Sequence, residues 1–389
     1  MIEDIRLKQI LNSCGKKTFR VKLKTDRGEF IASAASGTSE GVHEAKSLDI
    51  EKAFRFFPRY KDELIGQDEK NVDRIIEKIG LERLGAHLSI ALSMAGMRAV
   101  SNNDVYDLLN PRKKVFPLPL GNVIGGGAHK GYLTEQEFLV FPKKAKTMKE
   151  AVKTNLSIWE EIGKILKSKN LEEGNNFEGA WMCKLDDIKT LELLSKVAEE
   201  HEAGIGIDFA ASQNFKNGIY YYKNPERKLS SEKQLEFVMG LIEAYNLEYV
   251  EDPFHEDDFK SFSILTKKAK TLVVGDDLFV TQEDRLKMGI KKKAGNGIII
   301  KPDQAGTISR TLKTVKLADK EKFTTVVSHR SGETMDSFIS DLAIGIGSPL
   351  IKCGIYGKER KAKHDRLIEI WDKTKNPTLS KYFYSSCQY

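Results

Sequence analysis

GIIIKPDQ, residues 297–304, sets three isoleucines directly before a lysine. A short unbroken apolar run is how a strand covered on both faces reads, and such strands belong to parallel sheets layered with helices. Lysine is almost never fully buried unless it is paired. Lys301 therefore either snorkels its ammonium to water or is held at the strand's end for a task.

Seven further apolar runs surround this one: FPLPLGNV (116–123), EFLVFP (137–142), GIGID (204–208), LEYVED (247–252), LVVGDD (272–277), TTVVS (324–328) and PLIK (349–352). Helix-type segments such as SEKQLEFVMGLIEAYN and SGETMDSFISDLAIGI separate the later ones. Eight strands with intervening helices over about 270 residues have the size and rhythm of a (β/α)8 TIM-type barrel. The first two runs are joined by a short loop, and a long helical stretch follows the second, so the barrel is expected to begin irregularly. A doubly wound open sheet is the competing architecture. It lacks support because no Gly-rich phosphate fingerprint follows an early strand, and GGGAH at 125–129 does not fit that motif.

Upstream, residues 1–35 read as a strand meander, with FRVKLKT and EFIASAA joined at the turn signal DRG. From about residue 43 to 109 the pattern is helical, and RLGAHLSIALSMAGMRAV is rich enough in small residues for close packing. The segment DLLNPRKK (107–114) combines Asn-Pro with a charge cluster and marks a boundary. The expected organisation is an N-terminal α+β domain over 1–111 and a (β/α)8 barrel over 112–389.

The 63 basic and 56 acidic residues are mixed along the chain, and the formal net charge of +7 comes from no long basic block. Nucleic-acid and membrane-surface partners are accordingly disfavoured. No apolar run reaches the roughly 18 residues of a membrane helix, and MIEDIRLKQI does not read as a signal peptide. The four cysteines, Cys14, Cys183, Cys353 and Cys387, form no metal-type pair and read as free thiols of a cytoplasmic protein.

The late strands end in Asp208, Glu251, Asp276, Lys301, His329 with Arg330, and Lys352. From Glu251 onward these positions recur about every 25 residues, one βα unit each, and in a barrel they converge on the C-terminal face. Any one such Asp is more often a helix cap than a ligand; their common phase is the stronger signal. Three converging carboxylates repel one another unless a cation neutralises them, and an all-oxygen ligand set points to Mg²⁺ before Ca²⁺. Nearby positive charge and desolvation are expected to lower the pKa of a lysine there, making a neutral amine available to take a proton from a carbon beside a carboxylate. SHRSGET (328–334) adds an Arg and a Ser suited to phosphate.

These motifs resemble the enolase family, the phosphopyruvate hydratases. The resemblance runs through SGTSEGVHEA (36–45), RLGAHLSIALSMAG (83–96), TEQEFLVFP (134–142), IDFAAS (207–212), EDPF (251–254), VVGDDLFVT (273–281), IIIKPDQAGT (298–307), SHRSGET and IKCG (351–354). It implies a homodimer, or a higher oligomer, that interconverts 2-phosphoglycerate and phosphoenolpyruvate in glycolysis and gluconeogenesis with two Mg²⁺ per active site. A lysine base beside Mg²⁺ is the established chemistry of this superfamily. By resemblance, Asp208, Glu251 and Asp276 are the metal ligands and Lys301 is the base. Lys352 contacts the substrate carboxylate, Arg330 and Ser331 bind phosphate, and His329 lines the pocket. Ser39 and His129 sit on closing loops, Ser39 completing the second metal site. Gln136 and Glu137 match the polar pair ending the second strand. Glu178, in NFEGAW, is expected to help expel the C3 hydroxide as water, assisted by Glu137.

Several positions depart from the family pattern. Its early DSRGNPTVEV is NSCGKKTFRV here (12–21), and its late RIEEEL is EIWDK (369–373), which suggests a sign-swapped Arg20–Glu369 bridge across the dimer. The usual Asp-Glu-Gly-Gly is Phe177-Glu178-Gly179-Ala180. Two other readings compete: an acid-sugar lyase or racemase of the same superfamily, which would lack SHRS and SGTSEG, and a paralogue kept as a binding or structural protein.

Overall fold

The computed structural model describes residues 1–37, 41–111, 115–127 and 132–381. The chain opens with an antiparallel meander, β1 (Ile2–Leu11), β2 (Lys17–Thr25) and β3 (Gly28–Ser33), with β2 in the middle. Alternation along FRVKLKT sends Phe19, Val21 and Leu23 to a fully buried face. The helix Ala86–Ser101 packs against that sheet. The boundary expected at 111/112 adjoins residues 112–114, and Cys387 belongs to 382–389; both segments lie outside the described residues. Cys14, Cys183 and Cys353 are free thiols.

All eight runs expected to be strands form a closed barrel. In chain order they are β4 (Leu118–Gly125), β5 (Glu137–Pro142), then, after a hairpin of β6 (Glu172–Asn175) and β7 (Trp181–Cys183), β8 (Ala203–Asp208), β9 (Tyr249–Glu251), β10 (Leu272–Gly275), β11 (Gly297–Ile300), β12 (Thr324–Ser328) and β13 (Leu350–Lys352). β13 pairs with β4, which closes the sheet and excludes the open alternative. The irregular start is also present: β5 runs antiparallel to both β4 and β8, whereas the remaining neighbours are parallel.

Side-chain alternation divides each strand between two cores. Leu118, Leu120, Leu139, Phe141, Tyr249, Leu272, Val274, Ile299, Val326 and Leu350 fill the barrel interior. Val250, Val273, Ile298, Ile300, Val327 and Ile351 belong to the outer core beneath the helices. In GIIIK, then, Ile299 points inward and its neighbours outward, so Lys301 returns to the inner face. Asp276 follows Val274 by the same two residues, Glu251 follows Tyr249, and Lys352 follows Leu350. Glu137 precedes Leu139 by two on the reversed strand and stands in register with Asp208.

The helix Lys358–Lys373 packs against the helices Met148–Ser168 and Phe338–Ile346 and buries His364, whose Nε2 has no hydrogen-bond partner among the described residues. Burial, helped by Lys363 and Arg360 and opposed by Asp365, pushes this imidazole down to about 4. A depressed folded-state pKa means that the unfolded chain takes up the proton first. The stability that neutral His364 supports is therefore present above about pH 6.5 and is lost as pH falls toward 4. His364→Leu is expected to gain on the wild type by roughly 2 kcal/mol between pH 7 and 4.5. Denaturant unfolding of both proteins at the two pH values measures this; an unchanged difference rejects it.

Candidate active site

A cavity opens at the rim where the parallel strands end. It is lined by Gln136, Glu137, Glu178, Asp208, Asp276, Lys301, His329, Arg330, Ser331 and Lys352. Gln136 and Glu137 do not end their strand, as the sequence suggested, but begin it. Because β5 is reversed, its start reaches the rim where the other strands finish. Ser39 and His129 lie outside the described residues, though Gly37 and Gly41, on either side of 38–40, line the cavity.

Lys352 is buried among three carboxylates. Its Nζ donates to Asp208 Oδ2 at 2.8 Å and Glu251 Oε2 at 2.9 Å, and lies 3.2 Å from Glu137 Oε1. Glu251 is wholly enclosed behind it and also accepts the Tyr249 hydroxyl at 2.5 Å. Lys301 donates to Asp276 Oδ2, whose Oδ1 accepts from Gln304 Nε2 at 3.1 Å. Burial alone would lower both lysines, but Asp276 for Lys301, and Asp208, Glu137 and Glu251 for Lys352, outweigh it and hold both above the ordinary lysine range. The expected neutral lysine is thus not a property of these side chains by themselves, because the carboxylates meant to gather a cation first gather the lysines.

The carboxylates outnumber those two cations. Burial and the neighbouring Asp208 push Glu251 up to about 8, and burial with Asp276 pushes Asp277 up to about 7. Burial and Glu178 raise Glu137 well above the carboxylate range. Asp276 goes the other way, its burial offset by Lys301. Glu251 Oε1 and Glu137 Oε2 accept no hydrogen bond from the described residues although both are sealed from solvent. Asp252, Asp276 and Asp277 each bring an oxygen within 4.8 Å of the others. An all-oxygen group of this kind, beside two sealed carboxylate oxygens that accept no hydrogen bond from the described residues, fits a hard divalent cation.

Asp252 was not singled out from the sequence, yet it organises this corner. Its backbone takes the rare left-handed conformation, φ 40°. Its two carboxylate oxygens accept the backbone N–H groups of Asp276 at 3.0 Å and Asp277 at 2.6 Å. The available signal was the doubling of acids in EDPF and GDDL. Glu44 and Asp303 were missed too. They flank buried Arg330, whose Nη1 meets Asp303 Oδ2 at 2.5 Å and Glu44 Oε2 at 3.2 Å. An always-charged guanidinium, clamped this way and facing the cavity, is anion-binding chemistry.

Glu178 sits in the β6–β7 turn and is 3% exposed, so the altered sequence around it has not turned it away. Asn122 Nδ2 donates to its Oε2 at 3.1 Å, and His329 Nε2 lies 3.7 Å from its Oε1. Burial, with Arg360 and Lys352 adding to it against the pull of Glu178, holds His329 well below the usual imidazole range and hence neutral. Its Nδ1 accepts the Gly354 N–H at 3.4 Å, which leaves Nε2 as the protonated nitrogen facing Glu178.

Residues 113–382 match the family described as enolase, C-terminal TIM barrel domain. Three similar curated proteins are named enolase. That of Natronomonas pharaonis is 37% identical, covering 95% of this chain and 98% of its own length. That of Methanocorpusculum labreanum is 39% identical over 95% and 98%, and that of Archaeoglobus fulgidus 36% identical over 97% and 99%. Among the described residues no helix is long and apolar enough to cross a membrane.

Asp252→Ala would orphan two backbone donors beneath the carboxylate cluster. It is expected to cost about 2–4 kcal/mol of stability, read from denaturant midpoints at constant slope. A loss under about 0.5 kcal/mol would show that the two N–H groups find other acceptors.

Proposed function

Because the chain belongs to the enolase family and is therefore a lyase of the phosphopyruvate hydratase type, we propose that it catalyses the reversible dehydration of 2-phosphoglycerate to phosphoenolpyruvate in glycolysis and gluconeogenesis. The observation that carries this reading is one cavity holding a lysine after β11, an acid in the β6–β7 turn and a clamped arginine after β12. Lys301 follows β11 and Glu178 lies in the β6–β7 turn, so the proposed base and the proposed acid reach the same cavity from different elements of the barrel.

In this reading Arg330 and Ser331 bind the phosphate, with Ser39 and His129 closing over it, and Gln136 and His329 complete the wall. Lys352 faces the substrate carboxylate. Lys301, as the free amine, takes the C2 proton, and the electron pair spreads onto that carboxylate. The pair then forms the C2–C3 double bond as the C3–O bond breaks. Glu178, assisted by Glu137, supplies the proton that lets hydroxide leave as water. A divalent cation is implied by the family; as Mg²⁺ it would be held by Asp208, Glu251 and Asp276, with a second expected alongside substrate, and would supply positive charge where the carboxylate becomes more negative.

We also propose a cytoplasmic homodimer. Arg20 Nε donates to Ser33 Oγ at 3.3 Å within its sheet, and Glu369 pairs inside its own helix with Lys373 at 2.5 Å and Arg366 at 3.0 Å. A swapped Arg20–Glu369 bridge would compete with those contacts, so its contribution to the dimer is expected to stay within ~0–1 kcal/mol.

Phosphoenolpyruvate absorbance, followed from 2-phosphoglycerate with Mg²⁺, tests the activity. Lys301→Ala is expected to lower kcat by about 10²–10⁴-fold, and chelation of the metal to abolish turnover until Mg²⁺ is restored. No turnover by the wild type would return the chain to a binding role or another substrate, and an undiminished Lys301→Ala would overturn the base assignment.

A further inference from the structure

Among the described residues Arg360 is the bulkiest side chain sealed inside the fold, at 1% exposure, and it does not line the cavity. It stands in the first turn of the helix Lys358–Lys373, just after β13. Its Nη2 donates to two main-chain carbonyls far apart in sequence: Ser331 at 2.8 Å and Phe177 at 3.2 Å. Phe177 immediately precedes Glu178, and Ser331 is the proposed phosphate ligand beside Arg330. A Cβ added at Gly354 would come within 2.4 Å of the Glu178 carbonyl and 3.2 Å of the Arg360 side chain, so the three are packed without slack.

Each turn also has ties of its own. Asn176 Oδ1 accepts the N–H groups of Glu178 at 2.9 Å and Ala180 at 3.0 Å, and Trp159 Nε1 donates to the Gly179 carbonyl at 2.8 Å. The Ser331 carbonyl further accepts from Ser13 Oγ at 3.2 Å and Cys14 Sγ at 3.4 Å. Among these ties Arg360 alone spans both turns. We infer that Arg360 is a positioning residue that fixes the spacing between the Glu178 acid and the phosphate-binding turn, acting through the Phe177 and Ser331 carbonyls and never on substrate. The inference rests on the dehydratase reading, in which proton donor and phosphate must be held at a set separation along one substrate. A displacement of about 1 Å there is enough to cost ~10²-fold in rate.

Arg360→Gln removes the charge and the span; Arg360→Lys keeps the charge but not the planar fork. For Arg360→Gln the expected result is a fall in kcat of about 10²-fold with a rise in KM, and partial recovery of both in Arg360→Lys, each with wild-type circular dichroism. Because the effect on kcat passes through Glu178, adding Arg360→Gln to Glu178→Gln should lower kcat by less than about fivefold. Ser13→Ala loosens the Ser331 end alone and is expected to raise KM with little change in kcat. Full multiplication of the two losses in the double variant, or a kcat unchanged in both Arg360 variants, would overturn the inference. If the wild type shows no turnover, the dehydratase reading fails separately. Binding of inorganic phosphate by calorimetry then decides: at least tenfold weakening in Arg360→Gln or Arg360→Lys supports the positioning role, and unchanged affinity in both rejects it.

Discussion

Six carboxylates, Glu137, Asp208, Glu251, Asp252, Asp276 and Asp277, are crowded at one end of the barrel against two lysines, Lys301 and Lys352. In a medium of low polarity that excess of negative charge is the constraint on which the rest of the site depends. It explains why Glu251 and Asp277 hold protons more tightly than ordinary carboxylates, and why both lysines hold theirs more tightly as well. It also explains the elaborate backbone support: Asp252 accepts two N–H groups to keep Asp276 and Asp277 in place despite their mutual repulsion. The fold stabilises this cluster with helix–sheet packing elsewhere, where apolar burial is abundant. A site so poor in positive charge is one that a divalent cation improves.

The barrel was legible because alternation does two things at once. The residue pattern that buries Ile299 inside and Ile298 and Ile300 outside also decides that Lys301 faces the mouth. The same parity carries Glu251, Asp276 and Lys352 to one rim, so a strand's apolar run and its last charged residue are a single signal. What the pattern did not reveal was direction. EFLVFP alternates identically in either orientation, and only its antiparallel pairing with β4 and β8 shows that Glu137, at its beginning, reaches the rim where the other strands finish. The partners of the two lysines were hidden for a related reason. The sequence places carboxylates and lysines on the same rim but says nothing of which meets which, and the geometry gives Asp276 to Lys301 and three carboxylates to Lys352.

Residues that support the site from behind were the least visible. Arg360, Asn122 and Glu44 carry no spacing signal, because their partners lie on other elements and, for Arg360, are main-chain atoms. A buried polar side chain bonded to a distant carbonyl leaves no trace in local periodicity. Two such groups could be suspected from their neighbours: Asp252 from the doubled acids, and Asp303 from its place two residues after the lysine. The others require the fold.

The turn NFEGAW shows how a site absorbs substitution. Where the family pattern has an aspartate before the acid, this chain has Phe177, yet Glu178 remains buried beside Asn122 and His329. The contact that Arg360 makes at this position is with the carbonyl of residue 177, which every amino acid supplies. The hydrogen bonds that shape the turn come from Asn176 and from Trp159, itself stacked between Trp181 and Tyr356 at centroid separations of 4.6 and 4.5 Å. The turn is held through its backbone, and it depends on the identities of Asn176, Gly179 and Gly354. Gly179 has φ +83°, and a Cβ there would come within 2.2 Å of the Tyr356 carbonyl. The departure from the family motif at Phe177 therefore leaves the main-chain contact with Arg360 in place, and the loss of a neighbouring carboxylate removes a like charge from beside Glu178.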